Sequence, residues 1–232
     1  MAIVLQSRLP QSSRAMLVIA HPDDETMFFT PTIQALKTQG CSVVILCLST
    51  GNHSGLGSVR GKELLAACCI LGIEQGHIVM VDHPELQDGP QCWWPSELVA
   101  SIISKEAEKR NIEMIITFDV KGVSGHPNHV AVWRGTVAYL SGISHSKQTR
   151  TRALIFMLQS RSVFRKYCGP LDIILSLMQQ LCGKLQVCCI SSQPSQAVLA
   201  LQAHKSQYVW YRQLFIRCSC FTYVNTLSKL EP

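Results

Sequence analysis

The chain has 232 residues, 47% of them hydrophobic and only 16% charged, with a formal net charge of +6; this suits one full-sized domain with some apolar surface left for a partner or membrane to cover. The basic residues are scattered, without zinc-finger spacing, an arginine-rich arm or aromatic–basic interleaving, so nucleic-acid binding is set aside. The eleven cysteines are odd in number, include no C-x-x-C pair and sit mostly in apolar runs, which fits reduced thiols in a cytosol-facing protein and not a disulfide framework.

In chain order, Ala15–Ala20 reads as a buried strand. Glu25–Gln39 reads as a helix with Met27, Phe28, Ile33 and Leu36 at helical spacing, stopped by Gly40. Ser42–Leu48 is a second strand, Ser58–Leu71 a helix and Ile78–Val81 a third strand. Ser96–Arg110 (helix), Met114–Phe118 (strand), Val130–Leu140 (helix) and Ala153–Leu158 (strand) continue the alternation. Strands alternating with helices predict a parallel sheet wrapped on both sides, and such sheets bind ligands beyond the carboxyl ends of their strands. Further on, Pro170–Leu181 is an apolar helix, Leu185–Ile190 a strand and Pro194–Phe221 one long aromatic-rich helical stretch. Residues 1–14 read as a disordered extension and 15–232 as a single domain, with its core over 15–160 and an apolar helical tail region over 161–232. No apolar run approaches the roughly 18 residues of a membrane span; Met1–Leu5 is far too short. Any membrane anchor is expected to lie outside this sequence.

The chemistry concentrates at two strand ends. His21-Pro22-Asp23-Asp24-Glu25 follows the first strand, and its spacing lets His21 and Asp24 converge from one helical turn. Asp23 or Asp24 as a plain helix cap is the bland alternative, but capping gives His21 no task. Gly122-Val123-Ser124-Gly125-His126-Pro127-Asn128-His129 follows the fourth strand and carries two more histidines three apart. Imidazole and carboxylate donors suit zinc, whose catalytic sites use three protein ligands and keep a position open for water. His21, Asp24 and one histidine of the second motif make that set. Two other patterns fall short. The run Gly122–His126 approximates a nucleophile elbow, but His126 stands where glycine is needed. Gly55-Leu56-Gly57-Ser58-Val59-Arg60 approximates a dinucleotide fingerprint with Arg60 in place of its third glycine.

Ala20–Glu25 together with Gly125–His129 resembles the LmbE/PIG-L deacetylase family. The resemblance extends over Leu17–Phe29, Gly51-Asn52, Arg60–Leu71, Thr117-Phe118-Asp119 and Gly122–His129, and into Arg165-Lys166-Tyr167 and His204-Lys205-Ser206-Gln207, hence over nearly the whole chain. It implies a Rossmann-like, mostly parallel α/β sheet flanked by helices. It also implies zinc held by His21, Asp24 and His129, and His126 as a catalytic partner that stabilises the oxyanion. Asp23, beside a ligand but not itself one, is the expected general base. Agreement is greatest with the eukaryotic branch, which implies a glycolipid substrate, N-acetylglucosaminyl-phosphatidylinositol. That branch acts in the second step of glycosylphosphatidylinositol (GPI) anchor synthesis, on the cytosolic face of the endoplasmic reticulum membrane. Its members typically begin with a hydrophobic anchor that this sequence lacks, and many bacterial relatives carry aspartate where Asn128 stands.

Arg60 is the candidate contact for substrate phosphate or sugar hydroxyls, and Asp82 and Asp119 are possible contacts without assigned roles. The rival readings are a deacetylase of a soluble N-acetylglucosamine conjugate, a nucleotide-binding protein using Gly55–Gly57, and an inactive scaffold. Intact His21, Asp23, Asp24 and His129 disfavour the scaffold, and the apolar tail disfavours the soluble substrate. Trp210, Tyr211 and Phe215, interspersed with Lys205, Arg212 and Arg217, are expected to contribute to a membrane-facing rim.

Overall fold

The computed structural model describes residues 9–89, 91–145, 153–183 and 187–231. Short apolar runs form strands β1 (Arg14–Ile19), β2 (Ser42–Cys47), β3 (Ile78–Met80), β4 (Met114–Phe118) and β5 (Leu154–Leu158). β1, β2 and β4 are almost wholly buried, as continuous apolar strands of a parallel sheet should be. These five strands pair in parallel, and among the described residues the sheet has seven strands in the order β3-β2-β1-β4-β5-β7-β6. The two additions are β6 (Val187–Ile190) and β7 (Val224–Lys229), with β7 antiparallel to both β5 and β6.

The sheet is flanked by helices α1 (Asp24–Thr38), α2 (Gly57–Ile70), α3 (Ser96–Lys109), the short α4 (Gly122–Gly125) and α5 (Pro127–His145). The C-terminal third supplies α6 (Val163–Lys166), α7 (Leu171–Leu181), α8 (Pro194–Ala203) and α9 (Trp210–Cys218). Helices α3 and α5 pack on each other, while α1 and α2 both pack on α8. One apolar core, anchored by Phe29, Phe118, Phe221 and the central strands, runs through the molecule.

Three expectations are revised. The stretch 194–221 is not one helix: it breaks at His204, whose side chain turns inward, and resumes at Trp210 after a 3-10 turn. The last strand, β7, was not expected at all. Of the segment expected to be disordered, residues 1–8 lie outside the described residues, whereas residues 9–14 pack on the domain. There Leu9 is buried, and Ser12 Oγ and Ser13 N donate to Glu113. Among the described residues no helix is long and apolar enough to cross a membrane.

Candidate metal centre and catalytic cleft

β1 and β4 are neighbours, and between them the strand order reverses direction. The carboxyl ends flanking such a switch point bound the crevice of an open α/β sheet. His21–Glu25 follows β1 and Gly122–His129 follows β4, so the topology alone brings both motifs together.

Asp24 folds back over its strand end. Its Oδ2 accepts the N–H groups of Ala20 (3.0 Å) and His21 (2.9 Å), while its Oδ1 lies 3.1 Å from His129 Nε2. Neither aspartate caps α1, for the helix has no side-chain cap. His129 is aimed by its other nitrogen: Nδ1 lies 3.0 Å from the Gly122 carbonyl, and the ring stacks on Phe118 at 4.2 Å. Gly122 cannot carry a side chain here, because it has φ 59° and a Cβ would meet His129 Cβ at 2.8 Å. His21 is aimed likewise, with Nε2 3.0 Å from both Asp88 Oδ1 and Asn128 Oδ1, and Nδ1 3.8 Å from Asp24 Oδ2. An imidazole held by a carboxylate through one nitrogen, with the other turned inward, is the usual surrounding of a metal-ligating histidine.

The ring nitrogens of His21, His126 and His129 lie within 4.8 Å of one another, and Asp24 stands between His21 and His129. Tetrahedral bonds of about 2.0 Å place ligand atoms about 3.3 Å apart; His129 Nε2 lies 3.1 Å from Asp24 Oδ1, whereas His21 Nδ1 lies 3.8 Å from the other oxygen, Oδ2. The three imidazoles form a group that could hold a metal ion, and the Asp24 carboxylate adjoins it.

The electrostatics favour positive charge at this point. Burial alone would raise the Asp24 carboxyl, but His129 and His21 hold it well below the usual carboxylate range. Burial likewise opposes charge on His21, yet the hydrogen bond to Asp88 and the fields of Asp24, Asp88 and Asp23 raise it above an ordinary histidine. A proton or a metal cation answers that field. His126 behaves oppositely: burial, together with His21 and His129, pushes it down to about 4. Its Nδ1 accepts the Asn128 N–H at 3.3 Å, so the neutral ring carries its proton on Nε2.

Asp23, the expected base, lines the cleft at φ 120°. Its Oδ2 pairs with Arg60 Nη2 at 3.4 Å and with Arg212 Nη1. Arg60 also lines the cleft. It is buried, with Nη1 donating to the Gly51 carbonyl at 2.9 Å and reaching Asp88 Oδ2 at 3.4 Å, and Nη2 donating to the Pro22 carbonyl at 2.7 Å. With both terminal nitrogens held by protein groups, and Nε buried without a partner among the described residues, the guanidinium is placed to orient Asp23 and Asp88. Gly51 permits this approach, since a Cβ there would lie 2.4 Å from the Arg60 guanidinium. Asp119 is engaged too, accepting from Ser160 N and Oγ at 2.7 and 2.6 Å. Asp82 is exposed and does not line the cleft.

Two residues that the sequence reading did not place here complete the wall: Asp88, from the loop after β3, and Arg212, from α9. The cleft measures about 230 Å³. Neither residue belongs to a motif, and Arg212 lies 189 positions from its partner Asp23.

Residues 16–140 match the family described as PIG-L, GlcNAc-PI de-N-acetylase. The chain is 40% identical over 219 residues to a probable N-acetylglucosaminyl-phosphatidylinositol de-N-acetylase of Schizosaccharomyces pombe, covering 92% of this chain and 86% of that protein. It is 34% identical to the Bos taurus protein named N-acetylglucosaminyl-phosphatidylinositol de-N-acetylase, covering 97% and 87%. This chain belongs to the PIG-L family. Members of the PIG-L family are deacetylases, and this chain is one of them. The family fold reaches into distant structures: N,N'-diacetylchitobiose deacetylase from Pyrococcus horikoshii superposes with a TM-score of 0.71 at 14% identity, covering 97% of this chain and 86% of that one.

Proposed function

We propose that the chain is a zinc-dependent hydrolase of N-acetylglucosaminyl-phosphatidylinositol. It releases acetate and leaves glucosaminyl-phosphatidylinositol, the second step of GPI-anchor biosynthesis, at the cytosolic face of the endoplasmic reticulum membrane. The observation carrying this reading is the convergence of His21, Asp24 and His129 beside Asp23 at the sheet's switch point, in a chain whose relatives bear that enzyme's name.

His21, Asp24 and His129 would hold the ion. When bound, zinc supplies Lewis acidity, lowering the pKa of water to about 7 and polarising an amide carbonyl. The protein does the rest. Asp23 accepts the proton of the attacking water through Oδ1, since both arginine contacts fall on Oδ2. Water oxygen bonds to the acetyl carbon, and neutral His126 donates its Nε2 hydrogen to the oxygen that gains charge. As the carbon–nitrogen bond breaks, Asp23 returns its proton to the glucosamine nitrogen and acetate departs. Arg60 and Asp88 hold Asp23 and His21 in place, and we assign the contact with substrate phosphate or sugar to Arg212, which is less buried.

A soluble N-acetylglucosamine conjugate is the second reading, and an apolar groove beside the cleft, lined by Trp210, Tyr211 and Phe215, weighs against it. Acetate release should be measured with the glycolipid and with N-acetylglucosamine conjugates lacking the lipid, before and after chelation. The expected result is glycolipid turnover that chelation stops and zinc restores. Faster turnover of the soluble conjugates would displace the glycolipid, and turnover that survives complete metal removal would displace zinc.

A further inference from the structure

Helix α7 turns an apolar stripe outward, although Ile173 packs partly buried against the core. Leu171, Ile174, Met178 and Leu181 form one stripe along it and are 63%, 59%, 58% and 64% exposed, whereas Asp172 and Ser176 on its other face are fully buried. A helix lying on a protein core in water shows the opposite pattern.

The orientation is fixed by polar contacts. Asp172 pairs with Arg165 and, at 3.6 Å, with Arg161. Ser176 Oγ donates to Asp172 Oδ2 at 3.1 Å and accepts from Arg165 at 3.0 Å and Arg161 at 3.1 Å, while Gln179 accepts from Arg165 at 2.6 Å. Rolling α7 over to hide this stripe would strand two partly buried guanidiniums without their partners.

The apolar stripe has neighbours. Helices α6, α7 and α9 all pack on the turn Cys220–Thr222. From α6 and α9, Phe164 and Trp210 project 79% and 75% exposed. Between α1 and α9 runs an apolar groove of about 650 Å³, lined by Met27, Tyr167, Trp210, Tyr211, Leu214 and Phe215. Met27 and Arg212 belong both to this groove and to the catalytic cleft. The charge is one-sided: residues 153–223 contain seven lysines and arginines, of which Arg161 and Arg165 are held by Asp172 and Arg212 by Asp23, and a single carboxylate, the buried Asp172.

We propose that α6, α7 and α9 form a monotopic membrane-embedding surface for an anionic phospholipid bilayer, and that the adjoining groove takes acyl chains while the headgroup reaches the cleft. Exposed apolar stripes with aromatic and basic flanks lie in the headgroup–acyl boundary, and the absence of exposed carboxylates on these helices suits an anionic surface. The groove's share in this rests on the glycolipid reading above; the embedding surface does not.

The test is flotation of the full chain with phosphatidylcholine vesicles, with and without phosphatidylinositol. The chain is expected to float, more strongly with phosphatidylinositol and at low salt. Ile174→Asp combined with Met178→Asp should cut flotation by about tenfold or more while leaving acetate release from a short-chain, water-soluble glycolipid unchanged. Leu199→Asp, at an exposed position of α8, should float as the unmodified chain does. Retention of the unmodified chain in the aqueous fraction overturns the proposal, and so does undiminished flotation of the double variant. Loss of a dimer in that variant, with flotation unchanged, overturns it in favour of a second copy covering the face. Flotation without acetate release from any substrate leaves the membrane surface standing and overturns the catalytic reading instead.

Discussion

Asp23 adopts φ 120°, which a non-glycine residue holds only where its surroundings impose it. Here Glu25 Oε2 accepts its N–H at 3.0 Å, and two arginines take its carboxylate. Asp24, one position on, is buried instead against backbone N–H groups and His129. The neighbours therefore separate on substitution. Asp23→Asn should keep zinc, read by elemental analysis, and lose about 10²–10⁴-fold in acetate release, as loss of a general base does. His129→Ala should lose metal and activity together. Zinc loss in Asp23→Asn alongside zinc retention in His129→Ala would reverse the assignment. His126→Ala should bind zinc normally but turn over about 10²–10³-fold slower, the usual effect of deleting one oxyanion donor. Wild-type turnover in that variant would reduce His126 to a loop residue.

The elements explain why the centre of the site was legible and its wall was not. Strands β1 and β4 are continuous apolar runs, each followed at once by histidine and acid, so fold class and both motifs could be read together. Asp88 and Arg212 come from a loop and a distant helix without local pattern, and only the tertiary fold brings them in. The strand β7 was hidden for another reason: Asn225 and Thr226 interrupt its apolar pattern, although both are buried. Asn225 acts on α1. Pro31 lies inside that helix, where its ring crowds the preceding turn. Asn225 accepts from Thr32 N at 3.2 Å and from Thr32 Oγ1 at 2.7 Å, and donates to the Phe28 carbonyl at 2.9 Å. It thus bridges the donor and acceptor of the helical turn that spans the proline. Asn225→Ala should lower stability by about 2–3 kcal/mol by leaving these groups buried and unpaired, seen as a lower denaturation midpoint with zinc content per folded chain unchanged. An unaltered midpoint would mean that α1 closes this turn without help.

At the scale of the molecule, the region read as an apolar tail closes on the catalytic motif. Arg212 reaches Asp23, Ser206 donates to Glu63 from both N and Oγ, and His204 Nε2 lies 2.7 Å from Glu25 Oε1 with both side chains fully buried. Glu25 in turn holds the N–H of Asp23, so the His204 contact braces Asp23 from behind. Burial alone would lower the His204 pKa, but the charge and hydrogen bond of Glu25 outweigh it and raise it. Nδ1 of His204 has no hydrogen-bond partner among the described residues, a cost of about 1–3 kcal/mol that the ion pair must exceed. The pH dependence follows from the direction of the shift. Because the folded pKa exceeds the unfolded value, the contribution of charged His204 is complete below about 6.5 and disappears as pH rises through the folded value. His204→Gln keeps a donor for Glu25 without the charge. It should therefore be less stable than the unmodified protein at pH 6, by up to about 3 kcal/mol, and the gap should narrow in alkali as His204 loses its proton. Denaturant titrations of both proteins across that range provide the measurement. A gap constant with pH would show that His204 is neutral throughout and braces Asp23 by its hydrogen bond alone.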